Sequence, residues 1–121
     1  MAYLKGEPAA QQVVEILAEA HDRNIPILMS AINAGEVWYN IAARTNPKEA
    51  DRAIEILLNL GVTLVNIDWP TTKMAARYKS KGGISYADCF AAALAKQSKA
   101  ILVTGDREFK RLEKDITIQW L

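Results

Sequence analysis

Pro26-Ile-Leu-Met-Ser30-Ala-Ile-Asn-Ala-Gly-Glu36 reads as a strand that runs into a helix cap. Ile27, Leu28 and Met29 form a short apolar run with no polar alternation, the pattern of a strand covered on both faces. Ser30 then offers a hydroxyl to the unpaired N–H groups of a helix start, and a helix runs from Ala31 to about Arg44. The same grammar recurs outward from this stretch. Upstream, Pro8 to about His21 predicts a helix: Pro8 sits where a missing N–H costs nothing, and Val13, Val14 and Leu17 recur near helical spacing. Asn24 can end it in a left-handed turn. Downstream, Asn46-Pro47 is a cap with a first-turn proline, and that helix closes at Gly61. Val62 to Ile67 reads as a buried strand, and Asp68 caps a helix over Thr71 to Lys79. Gly82-Gly83 breaks the chain before an alanine-rich helix from Ser85 to about Ser98. Ala100 to Thr104 is a strand, Gly105-Asp106 a turn, Phe109 to Lys114 a short helical turn, and Ile116 to Leu121 a last strand. Helices alternating with apolar strands predict an α/β fold, a mostly parallel sheet between helical layers. In such sheets ligands gather at the carboxyl ends of the strands.

Half of the 121 residues are hydrophobic, which suits one domain with one core over residues 1–121. Cys89 is the one cysteine, so no internal disulfide forms, and its apolar neighbours Phe90 and Ala91 make it a packing residue suited to a reducing cytoplasm. No apolar stretch is long enough for a membrane span, and Met1 to Pro8 lacks the order of a secretory leader. A cytoplasmic protein with no membrane partner is expected. The formal net charge is +1, so any electrostatic case for a polyanionic partner must rest on local charge.

Three acids stand apart. Glu36 interrupts an apolar helix and shares a stripe with Asn33, Asn40 and Arg44, opposite Ile32, Val37 and Ile41. A lone Glu there is more often a solvated face. Asp88 follows Ser85 by three residues, a capping box with Asp in the usual Glu place. The helix N-terminus also favours the ionised carboxylate that a hard cation needs. Asp106 follows a buried strand and a glycine, where a plain turn aspartate is common. Each is ambiguous alone.

Their neighbours are Ser30-Ala-Ile-Asn-Ala-Gly-Glu36-Val, Ser85-Tyr-Ala-Asp88 and Leu102-Val-Thr-Gly-Asp106-Arg-Glu-Phe109. That ordered set resembles the PIN-domain ribonucleases, and is most similar to the toxin arm of VapBC-type toxin–antitoxin modules. Tyr3-Leu-Lys-Gly-Glu-Pro8 also resembles the segment after the family's first strand. The resemblance implies an endoribonuclease dependent on Mg²⁺ or Mn²⁺, with Glu36, Asp88 and Asp106 as catalytic and metal-binding acids. Thr104 and Asn33 would support the site. Hydrolysis of a phosphodiester needs an activated water and neutralised phosphate charge, which clustered carboxylates holding a hard cation can organise. The resemblance further implies RNA (tRNA, rRNA or mRNA) as substrate, a cognate antitoxin, and a homodimer, for which the face near Trp38 and Tyr39 is a candidate contact.

The family pattern begins with a strand ending in an Asp, and this chain starts inside the helix that comes after it. Three carboxylates in place of four are expected to bind metal weakly. The strands Ile27 to Ser30 and Ile101 to Thr104 are expected to close on each other, or to be bridged by a partner chain. Lys73, Arg77, Lys79 and Lys81 form a basic run without an acid, a candidate RNA contact or a solvated helix face. One histidine and one cysteine argue against zinc. Trp38, Trp69 and Trp120 read as core or interface residues. Two rivals remain: a PIN-like module that binds protein or RNA with impaired catalysis, and a doubly wound regulator or nucleotide-binding domain. Against the second, no Gly-rich phosphate loop follows any strand.

Overall fold

The computed structural model describes residues 7–121, with side chains from residue 14 onward. Its elements are α1 (Glu7–Asp22), β1 (Ile27–Ser30), α2 (Ala31–Arg44), α3 (Pro47–Asn59), β2 (Val62–Val65), α4 (Trp69–Ser80), α5 (Tyr86–Gln97), β3 (Leu102–Thr104), a 3₁₀ turn (Arg107–Leu112) and β4 (Ile118–Trp120). The fold is α/β and both strand pairings are parallel.

Short polar side chains start the elements. Ser30 accepts from the Asn33 N–H at 3.0 Å, Asn46 from Glu49 at 2.9 Å, Asp68 from Thr71 at 3.0 Å, and Ser85 from Asp88 at 3.3 Å. Asp106 does the same for the 3₁₀ turn, accepting from Glu108 at 3.0 Å. Each such cap contributes about 1 kcal/mol. Asn24 has φ +55°, the expected left-handed close of α1, and Gly82 and Gly83 at φ +77° and +84° make the break before α5.

The sheet departs from expectation. β1 pairs with β2, from Ile27 opposite Val62 to Ser30 opposite Val65, and β3 pairs with β4, from Leu102 opposite Ile118 to Thr104 opposite Trp120. Among the described residues β1 and β3 do not pair with each other, so direct closure of these two strands is not found. The reason lies in α5, which packs against both β1 and β3. Their spacing is set by the helix they share rather than by a hydrogen-bond ladder. Two cores result from this division. Leu17, Met29, Ala34, Val37, Leu57 and Val62 pack around β1 and β2. Tyr78, Phe90, Ala92, Phe109, Leu112 and Ile116 are in the larger cluster between α4, α5 and the second strand pair. Among the described residues no helix is long and apolar enough to cross a membrane.

Candidate metal centre

β3 ends at Thr104, and the chain must turn at once because the 3₁₀ segment begins at Arg107. The Thr104 hydroxyl accepts the Asp106 N–H at 3.0 Å, and the Asp106 carboxylate accepts the Glu108 N–H at 3.0 Å. Thr104 therefore orients the turn that carries Asp106. Across from this turn, Asp88 occupies the first turn of α5. Carboxylate oxygens of Asp88, Asp106 and Glu108 all lie within 4.8 Å of one another. Asp88 and Asp106 are half-buried, and Glu108 is exposed.

Two of these three, Asp88 and Asp106, are among the acids that the sequence singles out, and Glu108 joins them. The signal was the Asp106-x-Glu108 spacing. In a tight 3₁₀ turn opened by an aspartate cap, that spacing brings the second acid back beside the first. Glu36 is not in the 4.8 Å group. It projects from α2 into a cleft that it shares with Ser85, Tyr86 and Ala87 at the start of α5, and it is close enough for its charge to act on Asp88. Asn33 joins the two helices: its side-chain amide donates to the Ala87 carbonyl at 2.8 Å, and its amide oxygen accepts from the Ser30 hydroxyl. Its part is to hold α2 against α5, and so Glu36 near Asp88. Ile32, read as lying opposite Glu36, is 42% exposed and lines the same cleft; Val37 is the buried member of that set.

Burial raises the Asp88 carboxyl above the usual carboxylate range, against a lowering hydrogen bond from Ser85; the charges of Asp106, Glu36 and Glu108 push it further up. Like charges gathered at one half-buried point are the signature of a site that a cation would relieve. The donors suit a hard divalent ion. Metal–oxygen bonds of roughly 2.0–2.6 Å require ligand oxygens no more than about 5 Å apart, and these three meet that limit. Cys89 is fully buried and its thiol is pushed up by burial, so it is packing.

The basic run is divided. Lys73, Arg77 and Lys81 are exposed at helical spacing along α4 and its end. Lys79 instead donates to the Ile84 carbonyl at 2.9 Å and ties the glycine break to α4. Trp38 is half-buried and donates to Asp51 at 2.8 Å, Trp120 lies under the Arg107 guanidinium at 4.8 Å, and Trp69 is 68% exposed.

No curated protein matches the chain. Among solved structures, it is similar to VapBC-1 from nontypeable Haemophilus influenzae, with 25% identity and a TM-score of 0.69 over 88% of this chain and 84% of that one. It also shares its fold with VapBC2 from Rickettsia felis, solved bound to a DNA fragment from the promoter, at 22% identity and a TM-score of 0.70 over 98% and 89% of the two chains. The family model described as PIN domain matches residues 1–115. With that match over nearly its whole length, a parallel α/β fold and clustered acids at the carboxyl ends of its strands, the chain belongs to the PIN domain family.

Proposed function

We infer that this protein is a metal-dependent endoribonuclease, the toxin component of a toxin–antitoxin module. The observation that carries this reading is the convergence of Asp88, Asp106 and Glu108 within 4.8 Å at the carboxyl end of β3, with Glu36 facing Asp88. Asp88, Asp106 and Glu108 would hold Mg²⁺ or Mn²⁺, and the cation would supply an activated water and neutralise charge on the phosphate. Thr104 fixes the turn that aims Asp106, and Asn33 fixes the approach of Glu36. Glu36, outside the tight group, would take a proton from the attacking water. Lys73, Arg77 and Lys81 supply phosphate contacts along the RNA backbone, while Lys79 is spent on the loop.

A cognate antitoxin is the expected protein partner, in keeping with the VapBC complexes among the structural relatives. A cytoplasmic homodimer is the expected state, and sedimentation at micromolar concentration tests it: a stable monomer would count against it. The activity is tested with end-labelled RNA incubated with Mn²⁺ or Mg²⁺, with chelator, and with Asp106→Asn. Internal cleavage that needs both the metal and Asp106 is the expected result. RNA binding without cleavage under every condition would favour the impaired binding module instead, and cleavage that survives Asp106→Asn would remove the acid cluster from the reaction.

A further inference from the structure

A shallow cleft of about 560 Å³ opens beside the acids, between α2 and α5. Ile32, Gly35, Glu36 and Tyr39 line it from α2, and Tyr86 and Ala87 from α5. In the single chain its aromatic walls are open: Tyr39 is 57% exposed and Tyr86 is 45% exposed. Tyr86 is braced from behind by Phe90, ring centroids 4.8 Å apart and planes inclined at 58°. Gly35 is the informative residue. Glycine inside a helix costs stability relative to alanine, and it is usually explained by a close approach of neighbouring backbone. Here a Cβ at Gly35 would meet nothing within 4 Å. The bare backbone of Gly35 is open ground on the floor of the cleft. Glu36 is the one charged residue of the lining, and its charge acts on Asp88 of the acid cluster. The remaining walls are neutral, which suits the uncharged part of a nucleotide whose phosphate lies at the acids.

We propose that this cleft is a nucleobase subsite, in which the base next to the scissile phosphate stacks on Tyr39 and Tyr86 over the bare backbone of Gly35. The inference rests on the ribonuclease reading and adds to it: the enzyme grips single-stranded RNA by a base as well as by its phosphates. Stacking on an aromatic ring is tolerant of sequence because every base has a π-face.

The test measures anisotropy of a labelled oligoribonucleotide pool with the full chain in Ca²⁺ in place of Mg²⁺, the strands checked on a gel to be intact. Tyr39→Ala and Tyr86→Ala should each weaken binding roughly 5- to 100-fold, and the Phe variants should keep it. Gly35→Leu should block the floor and weaken binding, while Gly35→Ala raises the melting temperature by removing a helix penalty. With an oligonucleotide carrying abasic sites, the Tyr→Ala losses should shrink toward nothing. If the parent binds the pool and the Tyr→Ala and Gly35→Leu variants bind it equally well, the subsite falls and the nuclease reading stands. Variants that lose self-association or antitoxin binding but keep RNA would likewise overturn it. A parent that binds no RNA at all would sink both.

Discussion

Asp88→Asn should make the metal-free protein more stable and the metal-loaded protein less so. The Asp88 carboxylate oxygens lie within 4.8 Å of those of Asp106 and Glu108. Coulomb's law at that separation gives about 3.5 kcal/mol per pair at an effective dielectric of about 20 and about 0.9 kcal/mol in bulk water. Glu108 is exposed and belongs near the lower value; Asp106, half-buried, lies between. Replacing Asp88 removes about 2–3 kcal/mol of repulsion. Against that, it forfeits roughly 0.3–1 kcal/mol of favourable charge at the N-terminus of α5. A net gain of about 1–2 kcal/mol remains, or roughly 4–8 °C in melting temperature for a chain of this size. The sign with pH comes from the raised Asp88 carboxyl. The folded state holds that proton more tightly than the unfolded chain, so the penalty appears as pH climbs above the unfolded value of about 3.9. Below that value both states are protonated, and the variant's advantage should vanish. Saturating Mn²⁺ should reverse the order, because a ligand at 100 times its dissociation constant stabilises by about 2.7 kcal/mol, and the neutral amide is a poorer partner for the ion. Denaturant titrations in chelator and in Mn²⁺, at neutral and acid pH, read all of this. A variant less stable than its parent in chelator, or one that gains as much from Mn²⁺, would refute the reasoning.

Glu108→Gln should weaken Mn²⁺ binding in calorimetry more than Glu36→Gln does, because Glu108 is inside the tight group and Glu36 outside it; the reverse order would return the centre to the expected three acids. Tyr78→Phe should cost about 1 kcal/mol, because it removes the hydroxyl that donates to Asp115 at 2.5 Å from a nearly buried ring. Asp115 is held low by that hydroxyl and by Lys96, so this contribution is present above about pH 3.9 and fades as pH falls through the lower folded value. Solvent exposure of Asp115 keeps it at the small end, and denaturation at pH 7 and pH 3 compares the two. Finally, Lys73→Glu with Arg77→Glu should lower RNA affinity and flatten its salt dependence, by about 0.7 in slope per lost phosphate contact. Lys79→Met should leave the salt slope alone and lower the melting temperature instead, since its ammonium holds the Ile84 carbonyl.

The elements were legible because the sequence punctuates them chemically. Ser30, Asn46, Asp68 and Ser85 each cap the helix that begins at the next residue, and each was visible as a short polar residue before a helical pattern; Asp106, read as a turn, caps the 3₁₀ segment. Strand ends were less legible. Val62 to Ile67 pairs only as far as Val65, and Ala100 to Thr104 begins pairing only at Leu102. Apolar runs continue past the ladder because Ile67 and Ile116 pack in the larger core rather than in a strand. How the strands group was beyond local reading. Pairing depends on which helix lies over which strands, and nothing in the composition of α5 announces that one helix spans β1 and β3.

For the site, legibility depended on where each carboxylate gets its geometry. Asp88 and Asp106 are fixed by features a few residues away, the Ser85 cap and the Thr104 turn, so sequence spacing located them. Glu108 owes its place to the pitch of a 3₁₀ turn, one that periodicity placed two residues too late. The neighbouring Arg107 is turned onto Trp120. Glu36 depends on a contact fifty-four positions apart in the chain, Asn33 to Ala87, that joins α2 to α5. That contact explains why the acid nearest the cleft stands outside the tight group: it is carried by a different helix, which approaches the cluster only as closely as one amide–carbonyl hydrogen bond allows. The arrangement separates holding a cation from handling the substrate. In the proposed reading the first would belong to the α5 start and the β3 turn, the second to the face of α2 that carries Gly35, Glu36 and Tyr39.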